Sequence, residues 1–479
     1  MKASDFKDKK ITIMGLGLHG GGVGAAEFFA KAGARVLVTD LRKKDQLQAS
    51  IDKLKGLKIK FALGQHRPED FVGADLIIKN PAVSENSKYL EMARKNKVEI
   101  DSDMGVFFEI CKNKKIAVTG TKGKSTVTKL IFKLTRQKYK NAVLAGNIRA
   151  SVLAATKKIV PKNPVVLELS SWQLHDLGKH KKSPAIAAVT NILNDHQNRY
   201  KSFNDYIRDK QNILRFQKKE DWAILNFDDL VVKDFEKMTE AQIFFFSIKE
   251  DLREKTEPEK IGVFLKDDFL VFGPEAEKII SVNEVPLLGK HNLANVAAAA
   301  TVGRTIGLKN KEIKKVIQKF EGLPGRLEKI AWNKKRIAFN DTAATTPDAT
   351  AASLEALAEK YPNKPITLIT GGTDKKLDFR ELARKIKALF DAGNLENIVL
   401  LPGDATEKIK NDLKEISFDL TPNNVVEVFN MSDAVKLGTA LMDSRGIILL
   451  SPAAASFGLF LHEFDRGEKF NAAIDKYFT

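Results

Sequence analysis

At 479 residues, with 43% hydrophobic and 29% charged side chains, the chain is too long for one hydrophobic core and is expected to fold as several globular domains. Its single cysteine, Cys111, excludes an intrachain disulfide, and no Cys/His cluster has zinc-site spacing, so any metal is expected to be a hard, oxygen-bound ion. The net charge of +18 is spread over lysines in nearly every segment, with no Arg-rich arm or aromatic-interleaved stripe, which argues against a nucleic-acid interface and for a solvated lysine-rich surface, with attraction of a phosphate-rich small substrate as the alternative.

No apolar run reaches the ~18 residues of a membrane span, and the opening Met1-Lys-Ala-Ser-Asp-Phe-Lys7 lacks an apolar signal region, so a cytoplasmic protein is expected. Along the chain, short Val/Ile-rich runs alternate with charged amphipathic stretches, the pattern of βα units on parallel sheets. The first group of runs is 11–14, 36–39 and 76–78; the second is 116–119, 165–169, 187–190 and 223–226. Phe-rich runs between 244 and 285 read as hairpins, and a third α/β group follows at 366–369, 398–401 and 447–450. This predicts three α/β domains: 1–102, 103–322 with a small β region, and 323–479.

Gly15-Leu-Gly-Leu-His-Gly20 follows the first run and opens onto a predicted helix around 25–32, and Asp40 ends the next run about 20 residues on. That is a Rossmann-like arrangement, with a phosphate at the helix N-terminus and the acid near a ribose or sugar hydroxyl. Alone it would suit an NAD enzyme or a turn used for packing. A second glycine loop makes a simple dehydrogenase a poor fit. Gly120-Thr-Lys-Gly-Lys-Ser-Thr126 joins an apolar strand to a helix, so that backbone N–H groups, the helix N-terminus and Lys124 converge on a volume suited to a nucleotide triphosphate. Val118 stands where the full phosphate-loop pattern has glycine, so the loop is a shortened one.

Further on, Glu168 ends a buried run and is placed to hold Mg²⁺ beside those phosphates. His196 could ligate a second ion or orient a ligand, and Lys210 follows Tyr206 on a predicted helix. His291-Asn-Leu-Ala-Asn295 opens an Ala-rich helix whose amides could read a purine edge or serve as a cap and a buried polar pair. Asn340-Asp341 closes a strand within reach of a ribose, and Arg326 is placed to meet phosphates on domain closure. Gly371-Gly-Thr-Asp-Lys375 and Ser451-Pro-Ala-Ala-Ala-Ser456 both follow apolar strands at the edge where ligands bind.

Taken in order, GLGLHG from 15, TDLR from 39, GTKGKST from 120, AGN from 145, LELSSWQL from 167, NILNDH from 191, the Tyr206/Lys210 pair, GKHNLAN from 289, GLPGR from 322, NDTAAT from 340, GGTDKKLDF from 371 and SPAAASFGLF from 451 with Arg466-Gly467 resemble the Mur ligases, over nearly the whole chain. The closest likeness is to the branch that adds D-glutamate to UDP-N-acetylmuramoyl-L-alanine. The resemblance implies a UDP-sugar domain, a central ATPase and an amino-acid domain, in a monomeric, ATP- and Mg²⁺-dependent enzyme of peptidoglycan synthesis.

It assigns Gly120, Thr121, Lys122, Gly123, Lys124, Ser125, Thr126, Asn292, Asn295, Arg326 and Asp341 to ATP. Leu18, His19, Asp40, Arg42, Asn80, Asn147 and His196 fall to the UDP-sugar, and Lys375, Ser456 and Phe464 to the amino acid. Ser125, Glu168, His196 and a carbamylated Lys210 fall to the metal, with Lys124, His196, Lys210 and Arg326 catalytic. Two positions depart from the family: Ala343 replaces a usual lysine, and the phenylalanine near Arg466 is offset by one residue. A Mur-type ligase for another amino acid, a folylpolyglutamate-synthase-like ligase and a non-catalytic relative that kept the fold are the competing readings. A full N-terminal Rossmann-like domain with Asp40 and Arg42 weighs against the second, and intact Lys124, Glu168, His196 and Lys210 against the third.

Overall fold

A computed structural model describes residues 1–17, 20–148, 151–193, 200, 202–332 and 335–478. Three sheets organise them. The first is parallel, with strands β1 (Lys10–Met14), β2 (Arg35–Asp40), β3 (Ile59–Leu63), β4 (Leu76–Lys79) and β5 (Glu99–Ser102) in the order β3-β2-β1-β4-β5. Its outer strands escaped the sequence pattern because polar residues interrupt their apolar runs: Lys60 of β3 and Glu99 of β5 face solvent.

The second sheet has nine strands: β6 (Lys115–Thr119), β7 (Val143–Gly146), β8 (Val165–Glu168), β9 (Ile186–Val189), β10 (Trp222–Asn226), β11 (Gln242–Ser247), β12 (Ile261–Lys266), β13 (Phe269–Phe272) and β14 (Glu277–Ser281). Their order is β14-β13-β12-β11-β10-β9-β6-β8-β7. The expected hairpin region needs one correction. Phe244, Phe245 and Phe246 lie in β11, which pairs parallel to β10, and β12 pairs parallel to β11, so only β12-β13-β14 is antiparallel. A run buried on both faces has no alternation, so its apolar pattern cannot separate a parallel strand from a hairpin strand.

The third sheet orders β15 (Glu328–Trp332), β16 (Ile337–Asn340), β17 (Ile366–Gly371), β18 (Leu395–Leu401), β19 (Val425–Glu427) and β20 (Ile447–Leu450) as β15-β16-β20-β17-β18-β19, parallel except for β15. Alternate residues feed opposite faces: Leu368, Ile398 and Leu449 enter one core, while Ile369, Val399 and Ile448 enter the other. Each such side chain, fully buried, contributes roughly 1.5–3 kcal/mol.

The chain divides into two compact units, 1–284 with 294–317 and 285–293 with 318–479. The first holds the two N-terminal sheets and the second holds the third. Among the described residues no helix is long and apolar enough to cross a membrane.

Candidate active site

In the first sheet the strand order reverses between β1 and β4, which is where open α/β sheets form a ligand crevice. Gly15 leaves β1 and Asn80 leaves β4, and a Cβ on Gly15 would sit 3.0 Å from that of Asn80. Asp40, at the end of β2 and 5% exposed, turns its carboxylate into the glycine loop. One oxygen accepts from the Leu16 and Gly17 N–H groups at 3.0 and 3.2 Å, the other from Arg42 N–H at 2.9 Å. The acid therefore braces the turn, and the Arg42 guanidinium lies 3.8 Å from it. Leu18 and His19 lie outside the described residues.

The second loop leaves β6 at the point where β8 and β9 flank it. Gly120 has φ +147°, and a Cβ there would collide with the Thr190 hydroxyl, so only glycine fits. Neighbouring strand ends hold the turn. Thr121 N–H donates to the Asn191 carbonyl and Lys122 N–H to the Asn191 side chain, both at 2.8 Å, while Thr190 Oγ1 donates to the Lys122 carbonyl at 2.6 Å. The Thr121 hydroxyl meets the Tyr206 hydroxyl at 2.9 Å.

Lys124 opens the helix Lys124–Lys138 and folds its ammonium back onto the Thr121 carbonyl at 2.9 Å. Ser125 is half-buried and Thr126 buried in the first turn, and Asn295 packs against Gly123. Lys210, 1% exposed on the helix Phe203–Gln211, reaches beneath the loop: its Nζ donates to the Gly120 carbonyl at 2.8 Å and lies 4.8 Å over the Tyr206 ring.

Glu168 ends β8 in register with Val118 of β6, on the same sheet edge as the loop. It is 2% exposed. Its Oε1 accepts from Asn147 Nδ2 at 2.8 Å, and its Oε2 has no hydrogen-bond partner among the described residues. A buried carboxylate oxygen is costly to leave unmatched. One such oxygen and the Ser125 hydroxyl suit Mg²⁺, which takes few protein ligands and completes its shell with phosphates and water. No group of three or more His, Cys, Asp or Glu among the described residues forms an all-protein cage. His196 lies outside the described residues.

The second unit carries the other predicted residues. Asp341, just past β16, is 6% exposed. One of its oxygens accepts from Leu327 N–H at 2.9 Å, the other from the Ser353 and Ser451 hydroxyls at 2.6 and 2.9 Å. Burial pushes its carboxyl up to about 6 against those donors and the charge of exposed Arg326. Asn292 is buried and donates to the Leu288 carbonyl at 2.8 Å.

The strand-end loops of β17 and β20 pair through Thr373 and Ala455, which brings the segments of Lys375 and Ser456 side by side. Exposed Lys375 donates to the Thr345 hydroxyl at 2.8 Å; Ser456 is buried, and Phe464 packs edge-on to His462. Fully buried Arg466 ties these walls together by donating to the Thr342 carbonyl at 2.9 Å, to the Thr342 hydroxyl at 3.1 Å and to the Ala454 carbonyl at 3.1 Å. Burial pulls its guanidinium down to about 10.

The family described as Mur ligase MurD-like, N-terminal domain matches residues 9–102, the Mur ligase middle domain 118–303, and the Mur ligase glutamate ligase domain 325–454. The UDP-N-acetylmuramoylalanine–D-glutamate ligase of Roseiflexus sp. (strain RS-1) is 38% identical over 98% of this chain and 99% of its own. The chain belongs to the Mur ligase family. The protein of the same name from Borreliella afzelii (strain PKo) is 34% identical over 99% of both chains. Among solved structures, the UDP-N-acetylmuramate–alanine ligase MurC of Thermotoga maritima aligns with TM-score 0.64 at 18% identity, covering 98% of this chain and 99% of its own. A pseudomurein peptide ligase type C from Methanothermus fervidus aligns with TM-score 0.58 at 18% identity, covering 98% and 100%.

In this Mur ligase the first unit gathers Lys124, Ser125, Glu168, Asn147, Lys210 and Asn295 at one sheet edge, and the second gathers Lys375 and Ser456 on paired loops. Asn191, Tyr206, Thr345 and Arg466, whose bracing contacts no sequence spacing indicates, hold these loops in place. The buried ion pair Lys79–Asp176 left no sequence signal.

Proposed function

We propose that this Mur ligase joins D-glutamate to UDP-N-acetylmuramoyl-L-alanine with hydrolysis of ATP to ADP and phosphate, as a cytoplasmic monomer in peptidoglycan precursor synthesis. The observation that carries the ligase chemistry is the phosphate loop beside Glu168, whose buried Oε2 is unmatched on the same sheet edge. The choice of D-glutamate rests on the names of the full-length relatives.

The alanyl carboxylate oxygen attacks the γ-phosphorus, ADP leaves, and an acyl phosphate forms. The amine of D-glutamate then attacks the carbonyl carbon, a proton leaves the nitrogen, and phosphate departs from the tetrahedral intermediate to give the amide. Lys124, swinging from the Thr121 carbonyl, and Arg326 neutralise charge on the transferring phosphoryl group. Mg²⁺, held by Glu168 and Ser125, would supply further charge neutralisation on the phosphates. Carbamylation of Lys210 would turn the cation beneath the loop into an anion beside this site. Asp40, Arg42, Asn80 and Asn147 orient the UDP-sugar. Lys375 and Ser456 hold the incoming amino acid, with Lys375 pairing to its side-chain carboxylate.

Phosphate release is measured with D-glutamate, L-glutamate, L-alanine, L-lysine and diaminopimelate against each UDP-muramoyl precursor. Preference for D-glutamate with UDP-N-acetylmuramoyl-L-alanine is expected. A better rate with L-alanine or a dibasic acid would refute the branch while leaving a ligase.

A further inference from the structure

Lys79 is the last residue of β4 and directly precedes Asn80 in the first-sheet crevice, yet its side chain points away into the second sheet's territory and is 4% exposed. Its ammonium contacts both oxygens of Asp176, at 2.9 and 3.0 Å, and Asp176 is itself 3% exposed. Glu85 lies 3.1 Å from the same ammonium and takes Lys179 at 3.0 Å. Asp176 and Lys179 sit on the helix Ser171–Lys179, which begins three residues after Glu168 and is capped by Ser170.

A buried ion pair is poor value as a stabiliser: apolar residues of similar volume often do as well or better, while removing one partner alone is costly. Its use is better sought in geometry. Here one end of the pair adjoins a sugar-site residue and the other lies on the helix that issues from the Glu168 strand end. Lys79 and Asp176 thus form a direct, buried link between the end of β4 and that helix.

We propose that Lys79 and Asp176 are positioning residues that couple occupancy of the first-sheet crevice by the UDP-sugar to the placement of Glu168 beside the phosphate loop. The proposal rests on the ligase reading above. The test compares wild type with full-length Lys79→Met/Asp176→Leu, which replaces the pair by apolar groups, and with Lys79→Arg, which keeps the charge. Amide formed and ADP released are measured in parallel while UDP-N-acetylmuramoyl-L-alanine and ATP are varied.

The double variant is expected to raise KM for the UDP-sugar about 10-fold, with KM for ATP within about 2-fold, and to release ADP in excess of amide, and Lys79→Arg is expected to restore equal yields. If the double variant does not fold, Asp176→Asn is read in the same way. A folded variant that shifts Tm but keeps the wild-type KM and equal yields would overturn the coupling while leaving the ligase intact. A wild type that forms no amide would overturn the ligase reading and this coupling with it.

Discussion

The first unit contains two glycine turns built on the same plan, strand to turn to helix, and they differ in the charge that braces them. At Gly15 two N–H groups of the turn, those of Leu16 and Gly17, donate to the anionic Asp40. At Gly120 two N–H groups, those of Thr121 and Lys122, are also taken, but by the neutral Asn191, and the charged side chains that contact the turn are Lys124 and Lys210. Local backbone shape is shared, and the sign of the charged side chain nearest the turn differs.

The comparison breaks most visibly at Lys124. Lys124→Ala is expected to lower kcat about 10²–10³-fold, the scale for removing one preorganised charge-stabilising group, with the far-UV spectrum and Tm unchanged. Near-wild-type ligation by the folded variant would mean that the second turn is no more a phosphate site than the first. Lys210→Ala should cost about 10²-fold, and short-chain carboxylic acids should recover part of the rate if the working form is a carbamate. Failure of such acids to rescue, together with an unmodified mass for Lys210 in wild type, would reassign this residue to bracing Gly120 alone.

Asp40→Asn tests the first turn. Weakening a charge-assisted bond to the loop N–H groups by about 1.5 kcal/mol should raise KM for the UDP-sugar roughly 10-fold and leave KM for ATP unchanged. A matching rise for ATP would contradict the division of labour between the turns.

The smallest effect extends the contrast to a third strand-end acid. Asp341, like Asp40, is consumed by internal donors, but burial holds its carboxyl at about 6, above its usual 3.8. Between about pH 4 and 6 the folded state keeps a proton that the unfolded state has lost, so this group's contribution to stability falls as pH rises through that window and is level above it. The urea midpoint of Asp341→Asn, subtracted from that of wild type at each pH, should show that fall. A flat difference would place the carboxyl at an ordinary value.

Sequence determined the parallel α/β class, the central strands of all three sheets and both glycine turns, because buried strands need uninterrupted apolar runs and left-handed turns need glycine. It also placed Glu168 at a strand end. It did not determine the outer strands β3 and β5, whose solvent-facing polar residues carry no periodic signal, nor the parallel pairing of β11 and β12. Which acids are spent on the fold and which keep an oxygen for a ligand was decided only by tertiary structure. Asp40 and Asp341 are matched by donors up to 110 residues distant in the chain, whereas Glu168 has Asn147 on one oxygen and a buried, unmatched second. The pair Lys79–Asp176, 97 residues apart, is likewise invisible in one dimension, since a lysine at a strand end and an aspartate on a helix are ordinary surface residues until the fold buries them together.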